Sequence, residues 1–364
     1  MINRMKRREL LVAGSRAALG FCLVPGVARA GTIQSSPQWR PLVVELEKLL
    51  PQLMADASVP GLGAAIVNGG RLVWRRGFGV RDTSSKSPVD NDTVFEAASM
   101  SKPPFAYVVL KLCERGVLAL DTPLTKYTSE RFLNDDPRLD LITARHVLSH
   151  CSGFQNWRSD AEPLKIHFTP GEKYMYSGEG YSYLQSVVAK VTGQPIDTYM
   201  KANMFVPFGM GASDFAMTAG LKRHAARPHD EKGKPLDPNV PTPESIARYG
   251  AAGGLRTTAS DYARFIIAVV SPKPTDRFRL TKASVDEMLR PQVKVNDAMS
   301  SSWALGWQVQ HTGVINHGGH NRGFQCHAVA SAASRSGFVI MTNGESGSEL
   351  ISKLLLGDLM NRFL

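Results

Sequence analysis

The chain has 364 residues, of which 43% are hydrophobic, 21% charged and 8% aromatic. This composition is that of an ordinary globular protein and excludes a disordered or a fibrous one. A chain of this length buries about 75% of the surface that its unfolded form exposes, so it can form a core without a disulfide or a metal ion. The formal net charge of +11 would favour an anionic partner if that charge belonged to the folded part.

The N-terminus has the form of an export signal. Arg7 and Arg8 precede an apolar stretch over residues 10–27, and a small-x-small sequence, ARA, follows at residues 28–30. The paired arginines favour a twin-arginine signal, and Arg16 makes the apolar stretch a poor membrane span. We expect cleavage after residue 30, a periplasmic or secreted location and no stable membrane insertion of the remaining chain.

Removal of this signal also changes the charge and the cysteine count. Residues 1–30 carry six basic side chains and one acidic side chain, which leaves +6 for residues 31–364. No Lys/Arg run with interleaved aromatic residues occurs in that part, so we expect no nucleic-acid partner. Cys113, Cys151 and Cys326 remain, an odd number in an oxidising compartment. We expect free, mostly buried thiols.

Strand patterns occur near both ends of the chain, and helical patterns occupy the middle. Residues 120–250 are rich in Pro, Gly, Asn and Asp and show short helical stretches without a convincing strand. The predicted elements, in chain order, are a helix at 39–53, a β-hairpin of 64–67 and 71–78 around a glycine turn, a helix at 105–113, a helix at 262–270 after a capping box at 258–261, strands at 303–310, 324–331 and 337–342, and a helix at 350–363.

This order of elements predicts an α+β protein. A sheet completed by distant segments would lie between the terminal helices, and the middle of the chain would form a second, mainly helical lobe. We place the α/β lobe at residues 31–95 and 270–364 and the helical lobe at residues 96–269. A cleft between two such lobes is the expected position of a functional site.

Several familiar site signatures are absent. The sequence contains no GxSxG elbow, no HExxH and no phosphate-binding GxxxxGK[ST], and the GLG at residues 61–63 lacks the third glycine of a dinucleotide loop. His146 and His150 are four residues apart and could share a helix face, but no third zinc ligand lies near them in sequence. We therefore expect no metal ion and no cofactor.

A serine and a lysine three residues apart precede the apolar helix. Ser99 needs a base to become a nucleophile, and Lys102 can be that base if burial lowers its pKa. The spacing of three places both on one face, whereas Ser101 points elsewhere. Pro103 and Pro104 follow and are tolerated only in the first helical turn, so we expect the regular helix to begin near them. Alone, this pattern is no more than a capped helix start.

Six sequence segments, taken in order and spacing, resemble the serine β-lactamase and penicillin-binding protein superfamily. The closest likeness is to its class C-like branch of esterases, D-amino-acid peptidases and other serine hydrolases, over about residues 40–362. This resemblance implies a five-stranded antiparallel sheet flanked by terminal helices plus a mainly α-helical lobe, with the site between them. The segments are FEAASMSK (95–102), GVLALDTP (116–123), RHVLSHCSGF (145–154), FTPGEKYMYSGEGY (168–181), AAGGLRTTASDYARF (251–265) and HGG (317–319).

The resemblance also implies roles for individual residues. Ser99 matches the acylated serine and Lys102 matches its partner lysine. Tyr176 matches the tyrosine of the YxN motif, which exchanges a proton with the serine and the leaving group. His317 and Gly319 match the first and third positions of the KTG motif, where esterase-like members often carry HxG.

The same likeness places an oxyanion hole and shows two departures from the family pattern. The hole would use the backbone N–H groups of Ser99 and His320. Gly178 stands in place of the YxN asparagine, so the amide that contacts a substrate's acylamino group is missing. His317 replaces a lysine and is mostly neutral at pH 7 at its ordinary pKa. Arg322 could supply the missing positive charge for a substrate carboxylate, although it could equally be a solvated surface residue.

These observations predict an exported serine hydrolase that works through an acyl-enzyme. The substrate would be a small ester, amide or peptidoglycan-like molecule, with carboxylic esters favoured and weak activity on β-lactams or D-amino-acid peptides. One alternative is a β-lactamase, a D-Ala-D-Ala carboxypeptidase or a D-aminopeptidase. Another is an inactive penicillin-fold binding protein, which has no need for a base beside a serine. The oligomeric state is not predicted.

Overall fold

Strands from the two ends of the chain join in one antiparallel sheet. A computed structural model describes residues 40–273, 276–296 and 301–357 of the chain. Its strands are β1 (Gly61–Asn68), β2 (Arg71–Asp82), β3 (Ser87–Pro88), β4 (Phe95–Glu96), β5 (Arg256–Thr257), β6 (Val293–Asn296), β7 (Ser301–Trp303), β8 (Gln308–Gln310), β9 (Val314–Asn321), β10 (Phe324–Ser331) and β11 (Ser336–Thr342).

The helices lie before, between and after these strands. They are α1 (Arg40–Asp56), α2 (Lys102–Glu114), α3 (Ala144–Leu148), α4 (Gly178–Thr192), α5 (Ile196–Met200), α6 (Ala219–His224), α7 (Pro243–Tyr249), α8 (Ala259–Val270), α9 (Lys282–Leu289) and α10 (Gly347–Leu356). A 3-10 turn, Ala98–Ser101, leads into α2, and π-helical turns occupy Lys201–Phe205 and Gly250–Gly254. Within the residues that the structure describes, no helix is long and apolar enough to cross a membrane.

The sheet has more strands than the five that were expected. Within the described part of the chain, nine strands join in the order β3-β2-β1-β11-β10-β9-β8-β7-β6, and β4 pairs with β5 separately. The number five was implied by the family resemblance, and it equals the number of long strands in the sheet. Five strands of seven to twelve residues, β2, β1, β11, β10 and β9, form the centre, and strands of two to four residues extend both edges.

Side chains of the central strands alternate between two cores, as the period of two in a strand requires. On β1, Leu62 and Ile66 point to one core while Ala65 and Val67 point to the other. The first core also contains buried residues of α1 and α10, among them Leu50. The second core contains α2 and α8 together with the helical middle of the chain. The terminal helices thus cover one sheet face, as expected.

Most of the predicted elements are confirmed, with small changes of boundary. The hairpin β1–β2 turns at Gly69 and Gly70, which both have a positive φ that glycine adopts without strain. Helix α2 begins at Lys102, immediately before the two prolines. Thr258 caps α8 by accepting the Asp261 N–H, whereas the Asp261 carboxylate accepts instead from Ala212 N–H and from the Ser213 hydroxyl.

Two strand predictions were wrong. Residues 303–310 were expected to form one strand, but the chain turns back and pairs β7 with β8. Gly306 makes this turn at a φ of +87°, where an added Cβ would lie 2.8 Å from Ala106 Cβ. Strand β9 was not predicted because its glycines and polar residues hide the alternation, although a two-residue turn separates it from β10.

Parts of the sequence-based description lie outside the described residues. The described residues do not include the predicted export signal at residues 1–30 or Trp39 at the start of the first predicted helix. They also leave out the last residues of the helix predicted at 350–363. The described residues belong to one compact unit, and we keep the two-lobe boundaries as a proposal. Cys113, Cys151 and Cys326 are free, and the last two are buried.

Candidate active site

Ser99 lies on the 3-10 turn ahead of α2 and is partly exposed, whereas Ser101 is buried. The Ser101 hydroxyl donates to Ala98 O at 2.6 Å and accepts from Leu255 N–H at 2.9 Å, so it fastens the turn. Ala98 has a φ of +48°, a left-handed conformation that non-glycine residues rarely adopt and that concentrates at functional sites. The sequence favoured Ser99 over Ser101 as the nucleophile because of its spacing from Lys102; that role stays a prediction, and Ser99 is the more exposed of the two serines.

Lys102 is fully buried beneath Ser99. Its Nζ lies 3.1 Å from Ser99 Oγ and donates to Ala252 O at 2.5 Å. The Nζ also lies over two aromatic rings, 4.8 Å from the centroid of Tyr176 and 5.5 Å from that of Tyr181. Burial disfavours the charged amine and lowers the pKa of Lys102 to about 7. The amine therefore can accept a proton near neutral pH.

Tyr176 contacts Ser99 from a different part of the chain. It lies in an irregular stretch immediately before α4, and its hydroxyl hydrogen-bonds with Ser99. Burial raises the pKa of Tyr176 to about 12, although the bond to Ser99 opposes this shift. The phenol therefore keeps its proton at neutral pH and can donate it.

Strand β9 brings His317 and Gly319 against the serine turn. A Cβ on Gly319 would overlap Ala97 O, so only glycine allows this close approach. His317 is buried, and its Nδ1 bonds with Gly318 O at 2.7 Å. A carbonyl oxygen can only accept, so Nδ1 carries the proton and Nε2 is the free acceptor. Burial lowers the pKa of His317 to about 3, which makes the ring neutral.

The structure places His320 at the site but leaves Arg322 outside it. His320 follows Gly319 on β9, and its side chain points away to Glu345, with 2.6 Å between Nε2 and Oε1. Arg322 is exposed in the turn between β9 and β10 and does not line the cavity that contains Ser99. A carboxylate anchor at Arg322 therefore finds no support in this geometry.

An aromatic neighbour explains why position 178 is a glycine. The Trp157 indole lies so close that a Cβ at position 178 would overlap it. The Gly178 N–H donates to Asn156 Oδ1 at 2.9 Å, and Trp157 makes an edge contact with Tyr249 at a centroid distance of 5.5 Å. An aromatic side chain thus occupies the space beside the position where the related motif has asparagine.

A cavity of about 700 Å³ collects most of the predicted residues. Ser99, Tyr176, His317, Gly319 and His320 all line it, and Lys102 contacts Ser99 from beneath. A second cavity of about 330 Å³ shares Trp157, Gly253 and Asn321 with the first. The combined space can hold a small-molecule substrate with its reacting carbon at Ser99 and one substituent in the second cavity.

Sequence analysis missed several residues of this site because their partners are distant in the chain. Trp157 meets Gly178 across 21 positions in a loop without periodicity, and Trp303 meets Tyr176 with 5.8 Å between ring centroids. Asn321 lines the cavity and donates from Nδ2 to Glu96 Oε2 at 2.7 Å. The one available signal was the aromatic content of the loop around Trp157.

The two histidines that were considered as zinc ligands do not share a helix face. Helix α3 ends at Leu148, and His150 follows it with a φ of +58°. His146 Nδ1 accepts from Thr143 N–H at 3.4 Å, and His150 Nδ1 accepts from Ser177 N–H at 3.0 Å. Over residues 40–273, 276–296 and 301–357, no group of three or more His, Cys, Asp or Glu side chains could hold a metal ion.

Similar proteins include esterases, penicillin-binding proteins and β-lactamases. The chain is 30% identical to Esterase EstB of Burkholderia gladioli over 58% of this chain and 61% of that protein. It is 26% identical to Penicillin-binding protein 4* of Bacillus subtilis over 79% of this chain and 69% of that protein. The chain therefore spans less than two thirds of the length of EstB.

The fold has a solved counterpart of nearly the same extent. D-alanine carboxypeptidase AmpC from Burkholderia cenocepacia superposes with a TM-score of 0.71 at 22% identity, over 87% of this chain and 99% of that chain. The family model described as Beta-lactamase matches residues 46–356, which include every residue of the cavity around Ser99. With the paired serine and lysine and the antiparallel sheet between terminal helices, this match shows that the chain belongs to the beta-lactamase family.

Proposed function

We propose that this protein hydrolyses carboxylic esters through an acyl-enzyme on Ser99, with weaker action on β-lactams and D-amino-acid peptides. The observation that carries the proposal is the position of Ser99 Oγ, 3.1 Å from the buried amine of Lys102 and hydrogen-bonded to Tyr176. A serine becomes nucleophilic when an adjacent base removes its proton. Burial supplies that base because it lowers the lysine pKa to about 7.

The two pKa shifts assign different proton roles to Lys102 and Tyr176. About half of the lysine is neutral at pH 7, so it can take the proton of Ser99 as the serine attacks the substrate carbonyl. The pKa of Tyr176 is about 12, so the phenol stays protonated. It can donate its proton to the leaving group and regain one from the Lys102 ammonium, which holds the proton taken from Ser99. A group that keeps its proton and a group that readily loses one are the pair that acyl transfer requires.

The oxyanion would be held by the backbone N–H groups of Ser99 and His320. Residues Asn321 and Phe324 flank the two-residue turn, so His320 opposite Gln325 occupies a position at which an antiparallel ladder does not use the N–H. That N–H is directed to the side of β9 away from β10, beyond the residues of β9 that pair with β8, where the serine turn lies against Gly319. Fixed backbone donors of this kind stabilise the developing negative charge.

The substrate preference follows from the groups that the site lacks. Position 178 has no side-chain amide, His317 is neutral, and Arg322 is exposed and does not line the cavity. Contacts that would hold an acylamino group and a carboxylate are therefore weak, and amides suffer more from this loss than esters because their poorer leaving group demands better positioning. The 30% identity to a protein named Esterase EstB supports the same preference.

Steady-state kinetics on two chromogenic substrates test the proposal. We expect measurable kcat/KM for p-nitrophenyl butyrate and a value at least about tenfold lower for nitrocefin. Ser99→Ala should abolish both activities. Ser101→Ala is the matched control: it removes a hydroxyl that fastens the turn and should retain most of the ester activity per folded molecule.

Other outcomes would select an alternative function. Efficient nitrocefin turnover with negligible ester cleavage would favour a β-lactamase or D-alanyl carboxypeptidase. Intact-mass spectrometry after treatment with a fluorophosphonate distinguishes an enzyme from an inactive binder of peptidoglycan fragments. An adduct that is lost in Ser99→Ala supports the enzyme, and a folded protein without an adduct contradicts it.

We also propose that the protein is exported by a twin-arginine route and cleaved after residue 30. The proposal depends on Arg7, Arg8 and the ARA sequence at residues 28–30. N-terminal sequencing of the protein from a periplasmic fraction should begin at Gly31. The variant R7K/R8K should accumulate uncleaved in the cytoplasm, and continued export of that variant would contradict the twin-arginine assignment.

A further inference from the structure

His150 is a buried histidine without an assigned role beside the proposed catalytic groups. Its ring is fully buried among the side chains of Tyr174, Tyr176, Tyr181 and Trp303. The distance between the His150 and Tyr176 ring centroids is 4.1 Å, at an interplanar angle of 32°. No contact between His150 and Ser99 is present in the described structure, so any effect on the reaction must act through a neighbour.

The segment that carries Tyr176 needs such a neighbour. Residues 174–177 form neither helix nor strand, so no regular ladder holds their backbone. His150 holds it at two points: Met175 N–H donates to His150 O at 2.8 Å, and Ser177 N–H donates to His150 Nδ1 at 3.0 Å. The backbone N–H groups of the residues before and after Tyr176 therefore both donate hydrogen bonds to His150.

The backbone conformation of His150 allows it to make both hydrogen bonds. Its φ of +58° is rare for a residue with a Cβ, and it turns the carbonyl and the ring toward the same segment. Because Nδ1 accepts from Ser177, the ring is a neutral tautomer with its proton on Nε2. Nε2 is buried and has no hydrogen-bond partner among the described residues. A phenylalanine that only filled the space would avoid the desolvation penalty of this unpaired nitrogen.

We propose that His150 is a positioning residue for Tyr176, holding the backbone on both sides of the tyrosine and packing against its ring so that the phenol stays at Ser99. The inference rests on the proposed function, because it gives the phenol its proton-donating role. It predicts that a substitution of His150 slows acylation only through its effect on Tyr176, so that the loss disappears when the tyrosine hydroxyl is absent.

Two substitutions separate the contacts. His150→Asn keeps an acceptor for Ser177 N–H and tolerates a positive φ, but it removes the packed ring. His150→Phe keeps a ring and removes the acceptor. For each variant, the rate of Ser99 labelling by a fluorophosphonate and the kinetics with p-nitrophenyl butyrate are measured. We expect kcat to fall about tenfold or more while KM changes by less than about threefold.

The readout that a merely structural role would not produce is a double-mutant cycle. In a Tyr176→Phe background, His150→Asn should cause almost no further loss, because groups that act as one unit are not additive. His146→Asn is the matched control: among the described residues its ring caps α3 at Thr143 and does not pack against Tyr176, so acylation should stay at the wild-type rate. Additive losses in the cycle, or wild-type rates in both His150 variants, would overturn the inference.

Amide hydrogen exchange over residues 174–178 gives a second test that does not depend on activity. His150→Phe should accelerate exchange at Ser177, whose N–H loses its acceptor. Unchanged exchange would overturn the inference whether or not Ser99 becomes acylated. Failure of wild-type labelling at Ser99, by contrast, would overturn the proposed function while exchange still decided the role of His150.

Discussion

At the scale of single residues, the burial of one amine determines the pH at which the site can work. Lys102 has a pKa of about 7 because it is enclosed by the serine turn, the Ala252 carbonyl and two tyrosine rings. In the proposed mechanism the neutral amine is the active form, so protonation of Lys102 would inactivate the base. Activity should therefore be lost as the pH falls through 7.

We expect kcat/KM for p-nitrophenyl butyrate to rise with pH and reach half of its maximum near pH 7. Tyr176→Phe should lower the plateau by orders of magnitude and leave this acidic limb in place, because the lysine still titrates. Lys102→Met should remove the limb from any residual activity. A profile measured from about pH 5 to pH 9 checks this, and an unchanged limb in Lys102→Met would show that another group titrates.

Contacts between site residues could be predicted where the partners are close in sequence and could not where they are distant. Ser99 and Lys102 are three positions apart, and their contact follows from helical geometry alone. The neutral state of His317 also followed from its residue type, and burial reinforces it. Neither Trp157 nor His150 could be placed, because their contacts with positions 176–178 depend on how two irregular loops pack.

At the scale of elements, the approach of β9 to the serine turn requires a glycine at one position. A Cβ at Gly319 would overlap the Ala97 carbonyl, whereas a Cβ at Gly318 would lie 3.2 Å from His327 Nδ1, a side-chain atom that can yield. Gly319→Ala should therefore push β9 away and disturb the proposed oxyanion donors.

The expected result is a fall in kcat/KM of about 100-fold or more for Gly319→Ala. Gly318→Ala, the neighbouring control, should lose much less. Ester hydrolysis normalised to the fraction labelled by a fluorophosphonate measures both variants. Equal losses in the two variants would mean that β9 tolerates neither methyl group and that the oxyanion argument is not specific.

The start of α4 gives a second prediction at this scale, concerning substrate choice. Gly178→Asn restores the amide of the related motif but collides with the Trp157 indole, so the single variant should lose about 1–3 kcal/mol of stability by overpacking. Combined with Trp157→Ala, the new amide has room.

The double variant W157A/G178N should recover most of the lost stability. Its ratio of nitrocefin to p-nitrophenyl butyrate kcat/KM should rise about tenfold or more relative to the wild type. Thermal unfolding and the two kinetic assays provide the measurements, with Trp157→Ala alone as the control. An equal rise of this ratio in Trp157→Ala alone would show that the change in substrate preference comes from the enlarged cavity and not from the new amide.

Elements with a strong period were predictable and those shaped by close packing were not. Strand β10 was predicted with its observed bounds, and α2 and α8 nearly so, because apolar residues recur regularly in each. Strand β9 escaped prediction because Gly318 and Gly319 replace side chains that would have shown the alternation. The turn at Gly306 divides a predicted strand because Ala106 of α2 lies against it.

At the scale of the whole molecule, the buried amine opposes stability. Lys102 has a folded pKa of about 7 and an ordinary value of 10.5. Below pH 7 the amine is protonated in both states. Between these two values the unfolded chain binds one more proton at this site than the folded chain does, so stability rises with pH. At neutral pH the folded protein still bears most of the cost.

Lys102→Met should therefore increase the free energy of unfolding at pH 7 by about 1–3 kcal/mol, with activity abolished. The advantage over the wild type should shrink by up to about 1.4 kcal/mol for each pH unit above 7. Chemical denaturation of both proteins at about pH 7 and pH 9 measures this difference. A gap that stays constant or widens with pH would contradict the assigned pKa shift.

The pairing of β1 with β11 has a consequence for how the chain reaches its folded state. Leu62 pairs with Thr342 at the centre of the sheet, so the strand pair that joins the two cores cannot form until almost the whole chain has been synthesised. Contacts of such sequence separation make folding slow, and β1 meanwhile presents an unpaired, apolar edge that invites aggregation. Folding must thus be largely post-translational, and the proposed twin-arginine route, which carries proteins already folded, gives the chain time to close its sheet before it leaves the cytoplasm.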